Sequence, residues 1–142
     1  MINIEKISSS SFEKTMDFLR TVPSIESIDE KILNNACIAS EDDRIVGCIS
    51  YEEYGMKGLI RYFVFKKALD MSYLDSLLGE LKRNALKNEI NEFVCLAESD
   101  QIKDLFKGLD FNEVDVENIY IDEENVDDTS FKTSCFLNMH LI

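Results

Sequence analysis

The chain has 142 residues, 45% hydrophobic and 30% charged, and a formal net charge of −13. Length and balance predict one soluble domain, residues 1–142, with enough apolar side chains for a core. The acidity excludes a nucleic-acid binder, which needs a basic face to displace counterions, and suits a cationic partner such as a small amine or a basic peptide.

No apolar run approaches the roughly 20 residues that span a bilayer. The amino-terminal stretch MINIEKISSSSFEK lacks the apolar core of a signal peptide, so no membrane association and a cytoplasmic location are expected. Ile2 and Ile4 alternate with polar residues as a first strand. Ser9 to Ser11 then offer a cap for a helix bearing Phe12, Met16 and Leu19 on one face. Pro23 suits the first turn of a second short helix, with Ile25, Ile28 and Ile32 as its apolar stripe.

Ala36–Ala39 and Ile45–Tyr51 are apolar runs joined by Ser-Glu-Asp-Asp-Arg, which predicts a hairpin. Gly47 inside the second strand marks a bulge or a close backbone approach. Cys37 and Cys48 are spaced symmetrically about Asp42-Asp43, which places them face to face as a packed thiol pair. With Cys95, Cys135 and the single His140 they show no CxxC pair, so no metal site is expected.

A turn from Gly55 to Gly58 leads into Leu59–Phe65, a strand read as covered on both faces. From Asp70 to Asn88 the period becomes helical, with Met71, Leu74, Leu77, Leu78, Leu81 and Ala85 on one side. Phe93–Ala97 is a short buried strand, and a brief helix after Asp100 carries Leu105, Phe106 and Leu109. Val114 and Val116 open a further strand that runs into acidic residues from Asp122 to Asp128. The last strand places Cys135, Leu137, Met139 and Leu141 on one face and Phe136, Asn138 and His140 on the other. Phe136 on that less apolar face points to a homodimer contact through the final strands.

This order of elements, with three stretches of residues, resembles the GNAT superfamily of acyl-CoA-dependent N-acetyltransferases. Ile38 to Gly47, IASEDDRIVG, is similar to the family's second and third strands. Ile60 to Leu78 is similar to its fourth strand and cofactor helix, and Leu105 to Phe111 to its "lYeklGF" ending. The resemblance implies an α/β fold with a mixed, mostly antiparallel central sheet of about seven strands and helices on both faces. It also implies acetyl-CoA as cofactor and acetyl transfer to an amine by direct attack.

In the family a loop R/Q-x-x-G-x-G/A after the fourth strand holds the cofactor pyrophosphate. Its N–H groups, with the next helix terminus, form an anion site. Carried over residue by residue, the loop and helix start fall on Leu69, Asp70, Met71, Ser72 and Leu74. The strand backbone that holds the pantetheine arm and the thioester carbonyl falls on Phe63, Val64 and Phe65, beside a cleft towards Val94–Ala97.

Leu69, Ser72 and Leu74 stand where the family has a basic or amide residue, glycine and a small residue. Asp70 or Ser72 is the natural helix cap, and if Asp70 caps, its carboxylate occupies the anion site. The proton-donating tyrosine of "lYeklGF" is Phe106, the glycine is Asp110, and an upstream asparagine is Ser99. Glu52, Glu53 and Glu98 are the candidate general bases. Two functions stay open: an N-acetyltransferase, or a catalytically inactive GNAT-fold module that binds partners through its cleft or the acidic surface from Glu113 to Asp128.

Overall fold

A computed structural model describes residues 2–23, 25, 27–66, 70–97, 99–114, 120–121, 124–125 and 135–141. Strands β1 (Ile2–Lys6), β2 (Cys37–Glu41), β3 (Arg44–Tyr54), β4 (Lys57–Phe65), β5 (Glu92–Ala97), β6 (Asn112–Val114), β7 (Tyr120–Ile121), β8 (Glu124–Asn125) and β9 (Cys135–His140) are joined by four described helices. These are α1 (Phe12–Arg20), α2 (Glu30–Leu33), α3 (Met71–Lys87) and α4 (Asp100–Gly108). Seven strands form one sheet in the order β1-β2-β3-β4-β5-β9-β6, and β7 and β8 form a separate pair. β4 and β5 run parallel, while β1–β2, β2–β3, β5–β9 and β6–β9 are antiparallel. The expected α/β architecture is present.

The chain divides into two compact units, one of residues 1–52 and 61–88, the other of 53–60 and 89–142. In the first, strand alternation sends neighbouring side chains to opposite faces. Ile38, Cys48, Tyr62 and Val64 meet Phe18, Leu19, Ile32 and Leu33 from α1 and α2 in one apolar cluster. On the other face α3 crosses β1 and β2, and its buried Asn84 Nδ2 lies 3.8 Å from Cys37 Sγ. This unit therefore has helices on both faces of its strands.

The β2–β3 hairpin turns at Asp42 and Asp43, both left-handed at φ 51° and 64°. That is the primed turn whose twist matches the flanking strands. The register then slips. Glu41 pairs with Arg44 and Ser40 with Ile45, but Ala39 pairs with Gly47, so Val46 is an extra residue. Cys37 consequently pairs with Ile49, and Cys48 with Ile38. The cysteines expected face to face lie on opposite faces of the hairpin. Burial pushes both thiols up, Cys37 to about 12.

Helix α2 corrects a second expectation. It spans only Glu30–Leu33 and starts at Asp29, whose carboxylate accepts from the Lys31 N–H at 2.9 Å. Pro23 precedes it in a turn, while Ile25 and Ile28 still pack against the apolar cluster. Asp29 is the stronger start signal because it satisfies an orphan donor, whereas proline only removes one.

In the second unit, Leu59, Val94 and Phe136 form a buried cluster with Tyr54, Leu96 and Val114 against it. Helix α4 lies against β5 and β9. Phe136 is fully buried, and β9 is flanked by β5 and β6. The less apolar face of the last strand is thus core at Phe136, which clusters with Leu59 and Val94 and lies between its cross-strand neighbours Leu96 and Val114. The ring on which the expected homodimer contact rests is therefore buried within the chain itself.

Candidate cofactor-binding site

Strand β4 begins as a regular partner of β5, with Lys57, Gly58 and Leu59 opposite Glu92, Phe93 and Val94. At Tyr62 its backbone turns left-handed, φ 52°. A bulky aromatic residue in that region is an outlier that costs about 1–3 kcal/mol and persists only when its surroundings over-determine it. Here they do. The ring is buried in the apolar cluster with Phe18, Leu33 and Cys48, and the hydroxyl accepts from the Asp29 N–H at 2.8 Å. The Arg61 guanidinium lies 5.6 Å from the ring centroid. One left-handed residue inside a strand re-aims the peptide groups that follow it.

Those groups belong to Phe63, Val64 and Phe65, all half-buried. Val64 packs on the same cluster as Tyr62. Phe63 and Phe65 share the other face, their rings edge to face at 4.8 Å. The Phe65 ring lies over Gly47 so closely that a Cβ there would stand 2.4 Å from its Cδ1. Gly47 therefore serves a close approach, as its position inside a strand predicts. The Lys66 N–H closes the end of β4 on the Val46 carbonyl at 2.9 Å.

Asp70 occupies the cap position of α3 with an extended backbone, φ −61° and ψ 149°, but its carboxylate makes no capping bond. Its carbonyl instead accepts from the Tyr73 and Leu74 N–H groups at 2.9 and 3.2 Å. Asp70 is exposed, and its carboxylate is not held at the helix terminus by a capping bond. No acidic residue lies in the first turn of α3. Ser72 is exposed. Leu74 is 8% exposed and turns inward with Leu77, Leu78 and Leu81, so its bulk does not cover the helix terminus. Met71, read as part of the apolar stripe, is 44% exposed because the first turn overhangs the core. The Lys66 ammonium lies 5.5 Å from the Phe18 ring centroid. Lys67 and Leu69 lie outside the described residues.

Two of the candidate bases, Glu52 and Glu53, fall among the described residues. Glu52 Oε1 accepts from Arg61 Nη1 at 2.6 Å, a carboxylate already committed to a cation. Glu53 is exposed and, as the next residue on β3, points to the opposite face. Glu98 lies outside the described residues. His140 is exposed, 3.5 Å from Asn138 Nδ2.

Phe106, at the tyrosine position, is 1% exposed and sits edge-on to Phe111 with centroids 5.1 Å apart. Behind it α4 ends in a Schellman motif: the Phe111 N–H donates to the Phe106 carbonyl at 3.0 Å and the Asp110 N–H to the Lys107 carbonyl at 3.1 Å. Asp110 takes the left-handed position, φ 71°, that a glycine fills without steric cost. Ser99 caps the start of α4 by accepting from the Ile102 N–H at 3.2 Å. Glu113, first of the acidic stretch, is held by Lys103 and Lys107 at 3.1 and 3.0 Å. Most of that stretch lies outside the described residues.

The sequence places Tyr62 inside the covered strand Leu59–Phe65 and gives no sign of its left-handed backbone. No residue type signals a left-handed tyrosine, since glycine is the usual marker. Among the described residues there is no group of side chains suited to a metal ion, and no helix is long and apolar enough to cross a membrane.

No family model and no curated protein matches the chain. Solved structures do. A GNAT-family acetyltransferase from Staphylococcus aureus Mu50 aligns with TM-score 0.70 and 14% identity over 100% of both chains. Rv2747 from Mycobacterium tuberculosis, in complex with CoA, aligns with TM-score 0.71 and 13% identity over 99% of both. N-acetylglutamate synthase from Neisseria gonorrhoeae, complexed with coenzyme A and L-arginine, aligns with TM-score 0.68 and 16% identity. That match covers 98% of this chain and 33% of the synthase, so the chain spans about a third of that enzyme.

Proposed function

We propose that this chain, which has the GNAT acetyltransferase fold, transfers an acetyl group from acetyl-CoA to an amine by direct attack. The left-handed Tyr62 carries the reading. It holds a strained turn in β4 immediately before the peptides that would face a thioester carbonyl. Strain of this kind is kept at functional sites because packing elsewhere supports it.

The residues present fit acetyl-CoA through the backbone. The first-turn amides of α3, near Met71 and Ser72, would hold the pyrophosphate with help from the helix dipole. No side chain in that turn carries a negative charge, and Leu74 is folded away. Acetyl-CoA supplies the acyl group already activated as a thioester. The β4 backbone at Phe63 and Val64 orients its carbonyl by hydrogen bonding. One of the candidate carboxylates would take the ammonium proton directly or through water; Glu52 is held by Arg61, and Glu53 is exposed with no ion pair among the described residues. The amine nitrogen would then bond to the carbonyl carbon as the carbon–sulfur bond breaks, its second proton passing to solvent. Phe106 donates no proton to the departing sulfur, so that proton comes from solvent. The net charge of −13 favours a cationic acceptor, a small amine or a basic peptide.

Calorimetric titration with acetyl-CoA, with CoA and a pantetheine derivative as controls, tests the cofactor. Micromolar binding supports the reading, and release of free thiol across a panel of amines then tests transfer. Absence of binding up to millimolar removes it. Phe106 favours a second reading, a GNAT-fold module without transfer activity. Acetyl-CoA binding without thiol release from any amine would select that reading.

A further inference from the structure

Helix α2 is four residues long and too short to persist on its own helical bonds. Three hydrogen bonds tie it and its flanks to the strands of its own unit. The Ser50 hydroxyl donates to the Ile32 carbonyl, Asn35 Nδ2 donates to the Tyr51 carbonyl at 3.1 Å, and the Asp29 N–H donates to the Tyr62 hydroxyl at 2.8 Å. The first two reach β3. The third reaches β4 at its left-handed residue.

Tyr62 thus joins two functions in one rigid side chain. Its backbone aims the peptides of Phe63 and Val64, and its hydroxyl fixes the amide of the α2 cap. Its ring is clamped among Phe18, Ile32, Leu33 and Ile38, so a shift of the strand backbone is passed to the hydroxyl rather than absorbed by rotation. Asp29 in turn holds the first turn of α2 through its carboxylate.

We propose that Tyr62 is a positioning residue that couples the acyl-binding stretch of β4 to helix α2 through its bond to the Asp29 amide. The inference rests on the acetyl-CoA reading above. Occupation of β4 by the thioester arm orders α2, and by reciprocity an ordered α2 strengthens cofactor binding.

The test uses the full chain. Hydrogen exchange over residues 29–36 is measured with and without acetyl-CoA, alongside calorimetric affinity, for the wild type, Tyr62→Phe and Ser50→Ala. In the wild type acetyl-CoA slows exchange of that segment. Tyr62→Phe keeps the ring but leaves the Asp29 amide without its acceptor. The slowing then disappears, and acetyl-CoA binds about threefold to tenfold more weakly. Ser50→Ala loosens α2 in the free protein yet retains the slowing. Asp29→Pro deletes the same donor from the helix side together with the carboxylate cap on Lys31, so it abolishes the slowing as Tyr62→Phe does and also loosens α2 in the free protein. Slowing retained in Tyr62→Phe, or identical behaviour of Tyr62→Phe and Ser50→Ala, overturns the coupling. Tight acetyl-CoA binding without slowing in the wild type overturns the coupling alone, whereas no binding to the wild type overturns the acetyltransferase reading with it.

Discussion

The start of α3 and the end of α4 are the two places where this chain departs most from the residues expected of a GNAT enzyme, and the departures differ in kind. At the start of α3 the role belongs to the backbone. Ser72 and Leu74 replace small residues, yet the helix still presents its first-turn amides, because Ser72 is exposed and Leu74 faces inward. At the end of α4 the role belongs to a side chain. Phe106 is sunk in the core against Phe111, and nothing in the backbone substitutes for a missing hydroxyl. A site built from amides survives replacement of its side chains, whereas one built from a functional group does not.

The contrast can be broken from either end. Phe106→Ala should cost about 3–5 kcal/mol in a denaturant titration, the loss expected for a core aromatic. Phe106→Tyr should cost about 1–3 kcal/mol because it buries a hydroxyl among apolar groups. If Phe106→Tyr instead kept full stability and raised acetyl transfer, the position would be catalytic and the contrast would fail. At α3, Ser72→Trp should weaken acetyl-CoA by about tenfold or more, since bulk beside a helix terminus obstructs an anion there. Unchanged affinity in the calorimeter would remove that terminus from the site.

Smaller changes sharpen the comparison. Asp70→Asn should tighten acetyl-CoA about twofold to fivefold at low salt and less at high salt, as screening removes the repulsion. A gain insensitive to salt would argue against a charge effect. Asp110→Gly should stabilise the fold by about 0.5–1 kcal/mol by relieving the left-handed position that ends α4, read as a rise in thermal midpoint. A fall would mean that the Asp110 side chain contributes more than its backbone costs.

The elements were legible where one periodicity dominated. The stripe from Leu74 to Ala85 gave α3 within a residue at each end, with Asp70 and Asn88 as its caps. Alternation gave β9, but could not foretell that Phe136 would be buried with Leu59 of β4 and Val94 of β5. The short helix was misplaced because Pro23 is a conspicuous signal, whereas the Asp29 cap shows itself only through a bond to Lys31. Within the candidate site, the positions on β4 and α3 come from the family resemblance alone, carried over residue by residue. The left-handed Tyr62 could not be read at all, because tertiary contacts with Asp29 and the core hold it against its own preference. Glu52 looked like any strand carboxylate until its Arg61 partner, nine residues away, was in place.

The extra residue in the β2–β3 hairpin has a chemical consequence. A disulfide needs two Cβ vectors converging from one face. By sending Cys37 and Cys48 to opposite faces, the slip at Val46 insulates them from each other. Both are fully buried thiols that stay protonated at neutral pH, so neither offers oxidants a thiolate. The hairpin is thereby electrochemically silent. With Cys95 and Cys135 replaced by alanine, oxidising and reducing buffers should give the same melting temperature unless the strand pairing is first undone.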